Sequence, residues 1–209
     1  MLRVSVVNKK AQLGILLSGR GSNFLAIADS IDAGRIPTAE IAIVISNKED
    51  APGIAAAKKR ALDARVIPSK GKTREQHDAE MMKVLREKNV DLICLAGYMR
   101  LLSPEFIRAF PHKILNIHPS LLPAFAGLEA QKQALDYGVK VSGCTVHFVD
   151  EALDHGPIIL QKTVPVLPGD DVDSLSERIL KEEHKAYSEA VVLVLGGRVS
   201  VSGRKVSGR

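Results

Sequence analysis

The sequence predicts an α/β protein, and three observations carry that prediction. Short apolar runs alternate with segments of helical period through the first half, the pattern of a parallel sheet with crossover helices. A Gly-rich turn, Ser18-Gly19-Arg20-Gly21-Ser22-Asn23, joins the first run to the first helical segment. Further on, two longer strand-like runs are joined by a single turn, as in an antiparallel pair. With 209 residues, 45% of them apolar, the chain suffices for one fully cored domain, or at most two intimately packed halves.

The elements follow in order. Leu13 to Leu17 is a buried strand. From Ser22 onward Phe24, Leu25, Ile27, Ala28 and Ile31 recur at helical spacing. Ile41 to Ile45 is a second strand, and the alanine-rich stretch Ala51 to Ala61 is helix-compatible after Pro52. Arg65 to Ile67 is a weak third strand, Thr73 to Lys88 a charged amphipathic helix, Leu92 to Leu95 a fourth buried strand, and Pro104 to Phe110 a short helix. Ile114 to His118 is a strand that Pro119 ends, because proline has no N–H to give a ladder. Ser120 to Gly127, with Pro123 and no period, reads as a loop. Ser142 to Asp150 and Pro157 to Val166 are the paired strands, and Leu175 to Leu195 is a long C-terminal helix. The Val-Ser-Gly-Arg repeat at Val201 and Val206 is expected to be a disordered basic tail over 198–209.

Charge and composition narrow the function. The net charge is +5, from 29 Lys and Arg against 24 Asp and Glu. Several of those bases lie in the tail, and 4% aromatics with no Trp and no reader motif give nucleic-acid binding little support. A mild positive field equally suits a phosphorylated small substrate. The apolar runs are too short to span a bilayer. Arg3, Asn8, Lys9 and Lys10 interrupt any signal peptide, so a cytoplasmic location is expected. Cys94 and Cys144 have no CxxC spacing and read as buried thiols. The six histidines (77, 112, 118, 147, 155 and 184) form no HxH or HExxH pattern, so no metal is expected, and His147 reads as structural.

The candidate chemistry lies at the end of the fifth strand. Along Lys113 to His118, alternation sends Ile114, Asn116 and His118 to one face and Leu115 and Ile117 to the other. Two polar side chains side by side on an apolar strand are costly to bury without partners, which favours a strand tip opening into a cleft. The turn Leu153-Asp154-His155-Gly156-Pro157 supplies a carboxylate that could reach the imidazole. An amide N–H can donate to a developing oxyanion, a histidine can move a proton, and a carboxylate can stabilise the imidazolium; together they suit acyl transfer to an amine.

The Gly-rich turn suits a phosphate, since the free N–H groups and dipole of a helix start favour an anion. A dinucleotide fits poorly: Phe24 stands where the third glycine would be, and Ser46-Asn47-Lys48 lacks the acidic residue a ribose diol wants, so no nicotinamide cofactor is expected. Gly71-Lys72-Thr73 fails as a P-loop because Val66 holds the upstream glycine position.

Asn116-Ile117-His118-Pro119-Ser120-Leu121-Leu122-Pro123, then Ser142-Gly143-Cys144-Thr145-Val146-His147-Phe148-Val149, then Leu153-Asp154 and Gly156-Pro157-Ile158-Ile159, closely resemble the 10-formyltetrahydrofolate-dependent formyltransferases, from about Leu13 to about Gly197. The nearest branch formylates glycinamide ribonucleotide in purine synthesis. The resemblance implies a single domain over 13–197 after an extension at 1–12, with a phosphate-binding half at 13–111 and a catalytic and folate half at 112–197. The implied sheet is twisted and mostly parallel, Rossmann-like in its first half, with antiparallel C-terminal strands and helices on both faces. It also implies Asn116, His118 and Asp154 as catalytic residues, with the Asp154 ion pair favouring the imidazolium of His118. Gly21, Ser22, Asn23, Gly97 and Glu183 match ribonucleotide positions, although Glu182-Glu183 on a helix ordinarily faces water. Arg74, Met99, Arg100, Leu101 and Leu102, with Asn116, match the folate side. The implied co-substrate is 10-formyltetrahydrofolate, and the implied state a monomer or homodimer.

Some positions depart from the family pattern. Ala126 replaces a proline before Gly127 and Glu129 a histidine, which puts loop rigidity in question. His155 stands where a small residue is usual and could crowd or assist Asp154, and Leu180 replaces a polar residue. Three other functions share part of this pattern. A formyltetrahydrofolate hydrolase shares the three catalytic residues but usually carries an N-terminal regulatory domain, and a methionyl-tRNA formyltransferase needs a C-terminal tRNA-binding domain. A non-catalytic phosphate-binding module would use the Gly-rich turn and leave the Asn116 cluster unexplained.

Overall fold

The computed structural model describes residues 9–208. Residues 1–8 of the expected extension lie outside them, and Ala11 and Gln12 already belong to the first strand. The chain runs β1 (Ala11–Leu17), α1 (Ser22–Asp32), β2 (Ala39–Ser46), α2 (Pro52–Lys59), β3 (Ala64–Val66), α3 (Arg74–Glu87), β4 (Leu92–Leu95), α4 (Pro104–Ala109) and β5 (Ile114–His118). It continues through α5 (Ala130–Tyr137), β6 (Val141–Phe148), β7 (Ile158–Pro165), α6 (Val172–Leu195), β8 (Val199–Ser202) and β9 (Lys205–Gly208). One seven-stranded sheet has the order β3-β2-β1-β4-β5-β6-β7. It is parallel from β3 to β5 and antiparallel from β5 to β7.

Alternation along the strands builds two cores. Leu13, Ile15 and Leu17 of β1 pack with Phe24 and Ile27 of α1 and with Ile179, Ala186 and Tyr187 of α6. Leu16, with Ile43, Ile45 and Ile93, packs on the other face against Met81, Met82 and Leu85 of α3 and Phe106 of α4. The sheet is therefore covered on both faces, as its apolar central strands require. Cys94 and Cys144 are fully buried, and burial pushes both thiols up to about 12. Among the described residues no helix is long and apolar enough to cross a membrane.

Helix starts follow local chemistry. The Thr73 hydroxyl accepts from Gln76 N–H, and the Gln76 side chain closes a capping box on α3. Ser103 caps α4 and Asp171 caps α6, which therefore begins one turn before Leu175. Tyr187 ties α6 to the sheet: its buried hydroxyl lies 3.1 Å from the Leu95 carbonyl and 3.0 Å from that of Leu115. Tyr187→Phe removes this shared donor and is expected to lower the unfolding free energy by about 1–2 kcal/mol, read from the urea midpoint.

Two elements differ from expectation. Helix α5 was not anticipated: it spans only eight residues, buries only Ala130 and Ala134, and starts from Glu129 at φ 56° with no side-chain cap. In place of the disordered tail expected over 198–209, β8 and β9 pair as a hairpin. Val199, Val201 and Val206 lay it on the core beside α6, which gives a two-stranded ribbon the support it lacks alone.

Candidate active site

Strand order reverses between β1 and β4, and ligands of open α/β sheets bind outside the strand ends at such a switch point. The parallel β1, β4 and β5 bring three segments to that edge: the Gly-rich turn, the Gly97 loop, and Asn116 with His118. Ser18 links the first two, donating its N–H to Gly97 O at 3.0 Å while its hydroxyl accepts from Met99 N–H at 2.8 Å.

Asn116, His118 and Asp154 come together. His118 is 5% exposed, and its Nδ1 lies 3.3 Å from Asp154 Oδ2. Its Nε2 donates to Phe125 O at 2.8 Å. Both ring nitrogens thus face acceptors, an arrangement that suits the imidazolium with Asp154 as counter-charge. Asp154 has φ 50°, and its Oδ2 also accepts from Gly127 N–H at 2.9 Å, which holds the 126–128 loop against the turn. At this loop Gln133 Nε2 bridges the carbonyls of Ala126 and Leu128 at 3.3 and 2.8 Å. His155 neither crowds nor assists Asp154. It is exposed and pairs with Asp150 at 3.0 Å.

His147, read from the sequence as structural, stands beside the same cluster. It stands opposite Asn116 in the antiparallel β5–β6 register. Its Nδ1 lies 2.8 Å from Phe148 O, which can only accept, so Nδ1 carries the proton and Nε2 accepts from Asn116 Nδ2 at 3.2 Å. Burial lowers its pKa and keeps the ring neutral. The other Asn116 N–H points to Asp154 Oδ1 at 3.5 Å, a weaker bond that a stronger acceptor would displace. His147 therefore sets the orientation of the amide. Alternation alone could mark His147 as facing the same way as Cys144-flanking Thr145, but cross-strand register, which decides its partner, is a property of the folded sheet.

Of the ribonucleotide-matching residues, Gly21, Ser22 and Asn23 lie at the start of α1, Gly97 in the loop after β4 and Glu183 on α6. Gly21 sits at φ 71°, a left-handed turn that opens the helix without strain. Asn23 is 8% exposed and donates from Nδ2 to Glu183 Oε2 at 2.8 Å, while its Oδ1 has no partner among the described residues. Glu183 does not share the solvated face of Glu182: it is 7% exposed, and burial raises its pKa. A raised carboxyl contributes stability that is present below the unfolded pKa and lost as pH rises through the folded one. Glu183→Gln is therefore expected to raise the melting temperature at pH 8 and to leave it unchanged near pH 4. Paired thermal melts of the two proteins check this.

On the folate-matching side, Met99 and Leu101 are 65% and 51% exposed, while Leu102 is buried in the core. Arg100 is half-buried, with an Nε that has no partner among the described residues. Arg74 is exposed in the first turn of α3, three residues before His77, whose Nδ1 lies 3.5 Å from Tyr98 OH. That contact sets the start of α3 beside the 97–102 loop, although Arg74 itself makes no bond there.

Residues 11–191 match the formyl transferase family. The chain is 50% identical over 198 residues to the trifunctional purine biosynthetic protein adenosine-3 of Bos taurus, covering 93% of this chain but 19% of that protein. It is 41% identical over 189 residues to phosphoribosylglycinamide formyltransferase of Haemophilus influenzae, covering 90% and 89%. The crystal structure of glycinamide ribonucleotide transformylase 1 from Symbiobacterium toebii superimposes with a TM-score of 0.92 at 50% identity, over 95% of this chain and 94% of that one. Fold, site geometry and relatives agree: the chain belongs to the formyl transferase family.

Proposed function

We propose that the chain transfers a formyl group from 10-formyltetrahydrofolate to the amine of glycinamide ribonucleotide, giving formylglycinamide ribonucleotide and tetrahydrofolate in purine synthesis. The observation that carries this reading is the buried Asn116–His118–Asp154 cluster at the sheet's switch point, with the Asn23–Glu183 pair on the same edge. The Gly21–Asn23 turn takes the phosphate and Glu183 a polar group of the ribonucleotide. Gly97 lies on the ribonucleotide side, and the Met99–Leu102 segment and Arg74 take the folate.

The acceptor amine attacks the formyl carbon, forming the new C–N bond and an oxyanion. Asn116 Nδ2 turns its weaker bond from Asp154 to that oxyanion, while His147 holds the amide in plane. The His118 imidazolium, neutralised by Asp154, supplies charge beside the tetrahedral centre. It gives a proton to N10 as the C–N10 bond breaks, and the neutral ring then takes up the proton that the amine releases. Both substrates are bound, so orientation supplies much of the acceleration.

Asn116→Ala tests this directly. Loss of one oxyanion donor is expected to lower kcat by about 10²–10³ with little change in the KM of either substrate. A normal kcat would remove Asn116 from the chemistry. The hydrolase reading uses the same three residues and has no need of the Asn23–Glu183 pair or of an acceptor.

A further inference from the structure

A cavity of about 690 Å³ opens between α1 and α6, outside the catalytic cluster. That is within the size range of small-molecule sites. The same two helices carry the ribonucleotide-side pair: Ala26 in the cavity wall is one turn beyond Asn23, and His184 is adjacent to Glu183.

The charges around it are unbalanced. Of the carboxylates lining the cavity, Asp29 shares Arg60 with Asp32, and Glu189 is paired with Lys162 at 2.6 Å. Lys185 is held by Glu182 at 2.6 Å. Arg35 and Arg198 also line it, and neither has a carboxylate partner among the described residues. Arg35 Nη2 donates to Ser30 Oγ at 3.1 Å, which anchors one end of its guanidinium and leaves the other donors free. Ser30 Oγ meets Ser188 Oγ at 2.9 Å, and Ser188 donates to the His184 carbonyl at 3.1 Å, so the floor is a closed hydroxyl chain joining the helices. His184 Nε2 is buried with no partner among the described residues. Val192 and Leu193 add an apolar wall.

We propose that this cavity is a second anion site that takes a nucleoside monophosphate. Arg35 and Arg198 bind the phosphate by charge-assisted hydrogen bonds, and the apolar wall of Ala26, Val192 and Leu193 receives the nucleoside. The site does not depend on the catalytic reading. An occupant would bridge α1 and α6 behind the Asn23–Glu183 pair.

The test is isothermal titration of the full chain with AMP, inorganic phosphate and adenosine. AMP is expected to bind at least about tenfold more tightly than either fragment, and Arg35→Ala with Arg198→Ala to weaken it at least about tenfold. Asn23→Ala is expected to leave AMP affinity within about twofold. The proposal is overturned if AMP does not bind, if either fragment binds as well, or if the double variant binds AMP unchanged. Loss of AMP binding in Asn23→Ala equal to that in the double variant would also overturn it, because the nucleotide would then occupy the Gly21–Asn23 turn.

Discussion

His118→Ala is expected to lower formyl-transfer turnover by about 10²–10⁴, the span of general acid–base and charge-stabilising residues, while the chain still unfolds cooperatively. Asp154→Asn is expected to cost as much. Its amide can present N–H to His118 Nδ1, 3.3 Å away in the parent protein, and so favours the neutral ring in place of the imidazolium. Because the two side chains act as one unit, the double variant should be little slower than the worse single variant. Steady-state kinetics with circular dichroism on all three proteins checks this. Turnover within tenfold of the parent in either single variant would remove the imidazolium from the mechanism.

Gly156→Ala is expected to cost both stability and activity. A Cβ at this position would lie 1.8 Å from Phe148 O and 2.8 Å from Phe148 C, both backbone atoms that no rotamer change can move. The turn would have to lift from the end of β6, where Phe148 N–H donates to Pro157 O at 2.9 Å. Asp154, two residues earlier, would leave His118 with it. The expected loss is about 1–3 kcal/mol of unfolding free energy, the usual range for overpacking, accompanied by a fall in kcat. Gly19→Ala is the control. Nothing lies within 4 Å of its added Cβ, so its stability should stay within about 0.5 kcal/mol of the parent.

The parallel half was legible because its strands are short apolar runs separated by helices with strong signals: Pro52 at a helix start, Thr73 with Gln76 in a capping box, and Ser103 before Pro104. The shared face of Asn116 and His118 followed from alternation alone. Helix α5 was not legible because it has two turns, buries only two alanines and has no capping side chain. The hairpin at 199–208 was hidden by its low-complexity repeat, although Val199, Val201 and Val206 fall where a strand would bury them. Glu183 is buried because of its angle around α6, where only tertiary packing separates it from Glu182. The role of His147 depends on β5–β6 register, which side-chain alternation cannot supply.

The fate of the formyl carbon decides between transfer to an acceptor and hydrolysis. The most direct measurement uses 10-formyltetrahydrofolate labelled with ¹³C in the formyl carbon, incubated with the purified chain with and without glycinamide ribonucleotide, and weighs the products by mass spectrometry. The label is expected in formylglycinamide ribonucleotide, with no formate released without the acceptor. Labelled formate released at the same rate with and without the ribonucleotide would contradict transfer.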